Sequence, residues 1–143
     1  MRSKHTLHLQ PNQWLILAIA AAGDAGLSPV QLQTSLFLLS QKRKTYVEPG
    51  FYEFKPSDAG PSSKALYADL DAFVTGGYVV KEYQSECTRS VFRLGDPGRA
   101  LADELWPQVK PDASSYLEDA AAWAREQSSL DLIHKTPTIR LAG

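Results

Sequence analysis

Side chains that could act as nucleophiles, bases or metal ligands are few and lie far apart along this sequence. The histidines are His5, His8 and His134, and Cys87 is the only cysteine. A nucleophile needs a base placed beside it, and a closed zinc site needs four ligands; this set meets neither requirement. Neither phosphate-binding glycine motif occurs. We therefore predict no catalytic, cofactor-binding or metal-binding residues, and we do not expect an enzyme.

Basic and hydroxyl side chains indicate a different chemistry, which is contact with nucleic acid. The predicted DNA-binding residues are Ser62, Ser63, Lys64, Tyr67, Lys81, Arg89, Lys42, Arg43 and Lys44. The two serines and Lys64 are expected in the first turn of a helix, whose N-terminus attracts phosphates. Lys81 and Arg89 are expected on a β-hairpin that touches the DNA backbone.

Opposing charges leave a second interpretation open for these residues. Asp69 and Asp71 would share a helix with Lys64, and carboxylates that face a polyanion lower its affinity unless they accept from a cytosine amine. Residues 42–44 have an alternative role as a solvated helix C-terminus, where cations complement the macrodipole.

Aromatic residues in the last third of the chain form a second candidate site. Trp106, Tyr116 and Trp123 are predicted interface residues, because such aromatic side chains anchor contacts between proteins. The alternative is that they pack the last two helices onto the core. Burial distinguishes the two interpretations, since exposed rings favour an interface.

Composition places these candidates in one globular domain. The chain has 143 residues, of which 43% are apolar and 22% are charged, so it is long enough to bury a core. The net charge of −1 is unusual for a strongly DNA-binding domain. Residues 1–100 carry a net +2 and residues 101–143 a net −3. The single cysteine excludes an internal disulfide and favours the cytoplasm.

The first two helices follow from capping signals. A helix is predicted over residues 12–22 with Asn12 as its N-cap. A secretory signal peptide is the alternative for this apolar run, which is shorter than the roughly 20 residues a membrane span requires. A second helix is predicted to start at Ser28, with Pro29 and Gln31 completing a capping box, and to end near Gln41.

A third helix and a hairpin complete the predicted core. Pro61 is expected to open the helix, with its apolar face and its solvent face spaced at helical intervals. The apolar residues are Leu66, Leu70, Phe73 and Val74, and the outward residues are Lys64, Ala68, Asp71 and Thr75. Residues 51–54 are a possible strand. Residues 78–80 and 91–94 predict a hairpin, and two further helices are predicted, one after residues 95–98 and one over residues 112–127.

This order predicts a mainly α fold with a small β-hairpin wing, a winged helix-turn-helix followed by C-terminal helices. Residues 1–110 would form the winged-helix core. Residues 111–143 would add a C-terminal helix and tail, packed on or beside that core within a single domain.

Five segments together resemble the YwgA-like and Panacea-type, antitoxin-associated, bacterial winged-helix proteins. They are LQTSLFLL at residues 32–39, FYEF at 51–54, DAGPSS at 58–63, LYADL at 66–70 and GYVV at 77–80. The family pattern reads L-Q-K-L-x-F-L-L, an aromatic stretch, Y-G-P-[YF]-S and L-Y-x-D-L, and the similarity covers about residues 27–101. Thr34, Ala59 and Ser62 depart from it. The resemblance implies a winged-helix-like fold and a role in regulation or toxin neutralisation.

Two functions of different classes fit these observations. The first is a DNA-binding transcriptional regulator that acts as a homodimer in the cytoplasm. The second is a protein-interaction module, such as an antitoxin-like neutraliser or an adaptor, that uses the winged helix to bind a protein. Neither function calls for a membrane or a small-molecule substrate.

Overall fold

The computed structural model describes residues 9–41, 51–55, 62–84 and 89–126. This part of the chain is mainly helical and carries one small antiparallel hairpin, as the sequence predicts. The elements are α1 (Pro11–Ala21), α2 (Pro29–Ser40), α3 (Lys64–Thr75), β1 (Val79–Gln84), β2 (Arg89–Leu94), α4 (Asp96–Leu105) and α5 (Pro111–Glu126).

Helix α1 is the centre of the core. It contacts each of the other helices and β2, and its residues 14–19 are all buried, as expected of a helix that is apolar on every side. The prediction of Asn12 as N-cap is wrong, because Pro11 already occupies the first helical position. Gln10 is the N-cap, and its backbone N–H donates to the side chain of Gln13 at 2.7 Å. Among the described residues, no helix has the length and apolar character to cross a membrane.

Helix α2 begins as predicted. The Ser28 hydroxyl accepts from the Gln31 backbone at 3.3 Å, and the Gln31 side chain accepts from the Ser28 backbone at 2.9 Å. The helix ends at Ser40, with Gln41 as its C-cap. Because α1 and α5 both pack on it, α2 buries polar as well as apolar residues.

Helix α3 begins three residues later than expected. Ser63 is its N-cap and Lys64 its first residue, so Pro61 does not open the helix. The predicted apolar face is confirmed: Leu66 and Leu70 are buried, whereas the Phe73 and Val74 side chains are half-buried against the same core.

The aromatic segment before α3 is not a strand. Phe51 and Tyr52 are both buried in the core, and the only strand-like pairing in the described residues 51–55 is an isolated antiparallel bridge between Lys55 and Ser62. The two backbone hydrogen bonds of this bridge are both 2.9 Å long. The bridge brings Lys55 beside the start of α3.

The hairpin is confirmed, and its strands are longer than predicted. Its register runs from Val79 opposite Leu94 to Gln84 opposite Arg89. Leu27, just before α2, pairs with Phe92 through hydrogen bonds of 3.0 and 2.8 Å, which ties the start of α2 to β2.

Gly26 makes this close approach possible. Its φ is +71°, and a Cβ there would lie 2.6 Å from the backbone oxygen of Phe92. A residue with a side chain would therefore be strained by its backbone conformation and would also collide with β2.

The C-terminal helices close the core. Gly98 in α4 lies so close to the hairpin that a Cβ would be 2.1 Å from the Tyr78 oxygen. Helix α5 packs on α1 and α2, burying Leu117, Ala121 and Ala124 completely.

Candidate nucleic-acid interface

The solvent face of α3 has the composition that its sequence predicts. Lys64, Ala68, Asp71 and Thr75 are all exposed. The neighbouring positions Ala65 and Ala72 are exposed as well. This face therefore carries one cation and one anion among small side chains, and its positive charge is at the N-terminal end.

The two serines at the start of α3 have different environments. The Ser63 hydroxyl is buried and accepts from the Leu66 backbone at 3.2 Å, so its role is to cap the helix. Ser62 is half-buried, and its backbone is paired with Lys55. Of the predicted residues in this turn, Lys64 presents an exposed polar side chain to solvent.

Lys55 is a candidate that the sequence reasoning missed. The bridge to Ser62 places it beside the N-terminus of α3, and its side chain is exposed. The signal that could have identified it is the run of Pro, Ser, Asp and Gly between them, which is typical of a turn that brings its two ends together.

Two side chains of α3, Tyr67 and Asp69, form hydrogen bonds that join this helix to other parts of the fold. The Tyr67 hydroxyl donates to Gln33 Oε1 of α2 at 2.7 Å, and burial raises the pKa of Tyr67. Asp69 Oδ2 accepts from the Tyr52 hydroxyl at 2.6 Å. Burial, this hydrogen bond and the Asp69 charge, in that order, raise the pKa of Tyr52. Asp69 is therefore bound to a core residue, unlike Asp71.

The hairpin contributes one exposed cation with described surroundings. Lys81 is exposed on β1, and its neighbour Glu82 forms an ion pair with Arg93 of β2. Arg89 begins β2, where its backbone lies opposite Gln84. The basic residues Lys42, Arg43 and Lys44 lie outside the described part of the chain.

The three aromatic residues predicted to form an interface are all half-buried. Trp106 and Tyr116 pack half-buried against the core, and the Tyr116 hydroxyl donates to the Leu38 carbonyl oxygen at 3.1 Å. Trp123 is half-buried on α5. Among the described residues, the large apolar side chains that are exposed are instead Tyr78 (37%) and Val80 (43%), at the base of the hairpin.

Within the described part of the chain, no three His, Cys, Asp or Glu side chains lie close enough to hold a metal ion. The three histidines and Cys87 fall outside that part. No family model, no curated protein and no solved structure matches this chain.

Proposed function

We propose that this chain is a winged-helix DNA-binding transcriptional regulator that acts as a homodimer in the cytoplasm. The observation that carries the proposal is the pair Lys55 and Lys64 at the exposed N-terminal end of α3. Helix N-termini attract anions through their backbone N–H groups and dipole, and two lysines there add to that attraction. Lys81 on the hairpin supplies a further cation for the DNA backbone.

The exposed face of α3 favours phosphate contact over base recognition. Ala65, Ala68 and Ala72 are small enough for close approach and offer at most methyl contacts to thymine. No arginine, asparagine or glutamine lies on α3 to form the bidentate contacts that identify a base. Affinity should therefore come mainly from phosphates and should depend steeply on salt.

The test is fluorescence anisotropy with a labelled random-sequence duplex across a salt series. Three phosphate contacts give a slope of about −2.7 in log affinity against log salt, which is about a 40-fold loss between 50 and 200 mM salt. The triple variant Lys55→Glu, Lys64→Glu and Lys81→Glu should lose this binding. Lys110→Glu is the matched control, since Lys110 is exposed in the loop before α5.

Circular dichroism verifies that each variant is folded. Equal binding by the triple variant and the control would show that these lysines do not form the contact. Absence of binding by the unaltered protein at low salt would reject the regulator function.

A second function is supported by a separate observation. Tyr78 and Val80 expose apolar surface, and the Tyr78 ring contacts Phe73 of α3 with a centroid distance of 5.6 Å. An apolar hairpin base beside a neutral helix face suits a protein partner better than a polyanion. This is the protein-interaction module, an antitoxin-like neutraliser or an adaptor, that the family resemblance also suggests. Val80→Ser should weaken capture of such a partner and leave duplex binding unchanged.

A further inference from the structure

The outer edge of β1 has no partner strand among the described residues. Strand β2 is paired on both sides, with β1 on one and Leu27 on the other. Phe92 exchanges two backbone hydrogen bonds with Leu27, so Phe92 and the residue opposite it on β1, Lys81, form a non-hydrogen-bonded pair. The N–H and C=O groups of Lys81 therefore point away from β2, and those of Val79, two residues earlier, point the same way.

The exposed apolar surface of the hairpin lies at the same edge. Tyr78 directly precedes β1 and Val80 lies within it, and both side chains are exposed. Val79 is buried, and successive side chains of a strand point to opposite faces, so Val80 is on the solvent face of the hairpin. An edge with unpaired backbone groups beside apolar side chains is a template for pairing with another strand.

Charge restricts the ways in which two copies of β1 can pair with each other. A two-fold axis between antiparallel strands places one residue opposite the same residue of the second copy. A centre at Lys81 or at Glu82 puts like charges directly opposite each other, which is destabilising. A centre beyond Glu82 leaves Val80 uncovered, because Val80 then faces a position after the end of β1.

A centre at Val80 avoids these conflicts. Val80 then faces Val80 of the second copy in a non-hydrogen-bonded pair, where the Cα atoms are about 4.5 Å apart and the side chains are closest. Val79 of each copy faces Lys81 of the other, and these two pairs form four hydrogen bonds between the outward backbone groups. A centre at Val79 would form only two, because its next pair requires Gly77, which lies in a turn at φ +86°.

We propose that two copies of this chain associate through their β1 edges, centred on Val80, so that the two hairpins form one continuous sheet. The inference rests on the homodimer of the proposed function and names its surface. Its test uses no DNA, so failure of this inference and failure of DNA binding are separate results. The edge is short, and we therefore expect a dimer that dissociates on dilution.

Sedimentation velocity of the full chain, at concentrations from about 1 µM to about 1 mM, measures this association. The unaltered protein should shift from monomer to dimer as its concentration rises. Val80→Lys should raise the Kd of the dimer about tenfold or more, because two like charges then meet at the centre of the pairing. Circular dichroism verifies that the variant is folded, as expected for a change at an exposed position.

A backbone change tests strand pairing separately from side-chain contact. Lys81→Pro removes an N–H that points away from β2, and edge strands tolerate proline at such positions. The hairpin should therefore form while the dimer is weakened. Lys81→Thr is the matched control, since it keeps this N–H and changes only the side chain, and it should dimerise as the unaltered protein does.

Cysteine cross-linking reports the register. In a Cys87→Ser background, Val80→Cys should form a disulfide between two copies under mild oxidation, because directly facing residues lie within disulfide reach. Lys81→Cys should not, since the two Lys81 residues are offset by two positions along the strands. Their Cα atoms would be about 8 Å apart, which is beyond the roughly 7 Å limit for a disulfide.

Three results would overturn the proposal. The first is that the unaltered protein stays monomeric at the highest concentration. The second is that Val80→Lys and Lys81→Pro, both folded, dimerise as Lys81→Thr does, because the contact would then lie elsewhere. The third is that Lys81→Cys cross-links as readily as Val80→Cys.

Discussion

Replacing Tyr52 with phenylalanine removes a hydroxyl that donates to Asp69 Oδ2 at 2.6 Å, while the ring that packs in the core is kept. Hydrogen bonds to charged groups contribute about 1.5–3 kcal/mol to stability. Tyr52 is 4% exposed, whereas Asp69 is half-buried and regains some water when the hydroxyl is lost. We therefore expect Tyr52→Phe to lower the free energy of unfolding by about 2 kcal/mol, which is a fall in Tm of roughly 6–8 °C.

The same hydrogen bond predicts a loss of stability in alkaline solution. Burial, the hydrogen bond to Asp69 and the charge of Asp69 raise the pKa of Tyr52 above its ordinary value of about 10. The unfolded chain releases this proton near pH 10 and the folded chain retains it. The stabilisation is therefore complete below pH 10 and declines as pH rises towards the folded-state pKa, by at most about 1.4 kcal/mol per pH unit. In Tyr52→Phe the free energy of unfolding should therefore fall less steeply with pH above pH 10.

Urea unfolding at pH 7, 10.5 and 11.5 measures both effects. Tyr78→Phe is the matched control, because its ring is 37% exposed. Adding Asp69→Ala, which removes the acceptor, completes a double-mutant cycle, which should give a coupling free energy above about 0.5 kcal/mol. Additive single effects, or equal losses in Tyr52→Phe and Tyr78→Phe, would refute the inference that this hydrogen bond stabilises the fold.

Three further substitutions test other parts of the structure. Gly26→Ala should lower the free energy of unfolding, measured in urea, by clearly more than the roughly 1–2 kcal/mol of a left-handed backbone alone, because its Cβ would also collide with Phe92. Gly23→Ala, at φ +65° with open space around the glycine, should lower it by only roughly 1–2 kcal/mol. Ser63→Ala should lower the free energy of unfolding by about 1 kcal/mol, because the helix loses its N-cap, and should leave the affinity for duplex DNA unchanged. A large loss of DNA affinity would contradict the assignment of Ser63 as a cap. Asp71→Asn should raise duplex affinity a few-fold at low salt, and the gain should shrink as salt screens the charge; no change in anisotropy titrations would place α3 outside the interface.

Much of the fold could be predicted because it follows from local rules. The Ser28 capping box, the apolar face of α3 and the hairpin all depend on residues a few positions apart, where spacing and turn chemistry determine the backbone conformation. The same local signals did not identify the first residue of α1 or of α3. Pro61 and Ser63 both resemble the start of a helix; in the structure Ser63 is the N-cap, and the residue before it, Ser62, is paired with Lys55.

The roles of individual α3 residues needed the tertiary structure. Tyr67 and Asp69 read as members of a DNA-facing helix, yet each binds a partner far away in the sequence, Gln33 in one case and Tyr52 in the other. Helical periodicity shows which side of a helix a residue occupies, but it does not identify the element packed against that side.

The sequence by itself determined that this chain forms a mainly helical domain with one β-hairpin, because periodicity and capping act over short distances. Only the tertiary structure decided that Lys55 joins Lys64 at the start of α3, and that the Tyr52 hydroxyl donates to Asp69 of α3. Such sites assemble residues from distant parts of the chain, and their geometry depends on how the helices pack around α1.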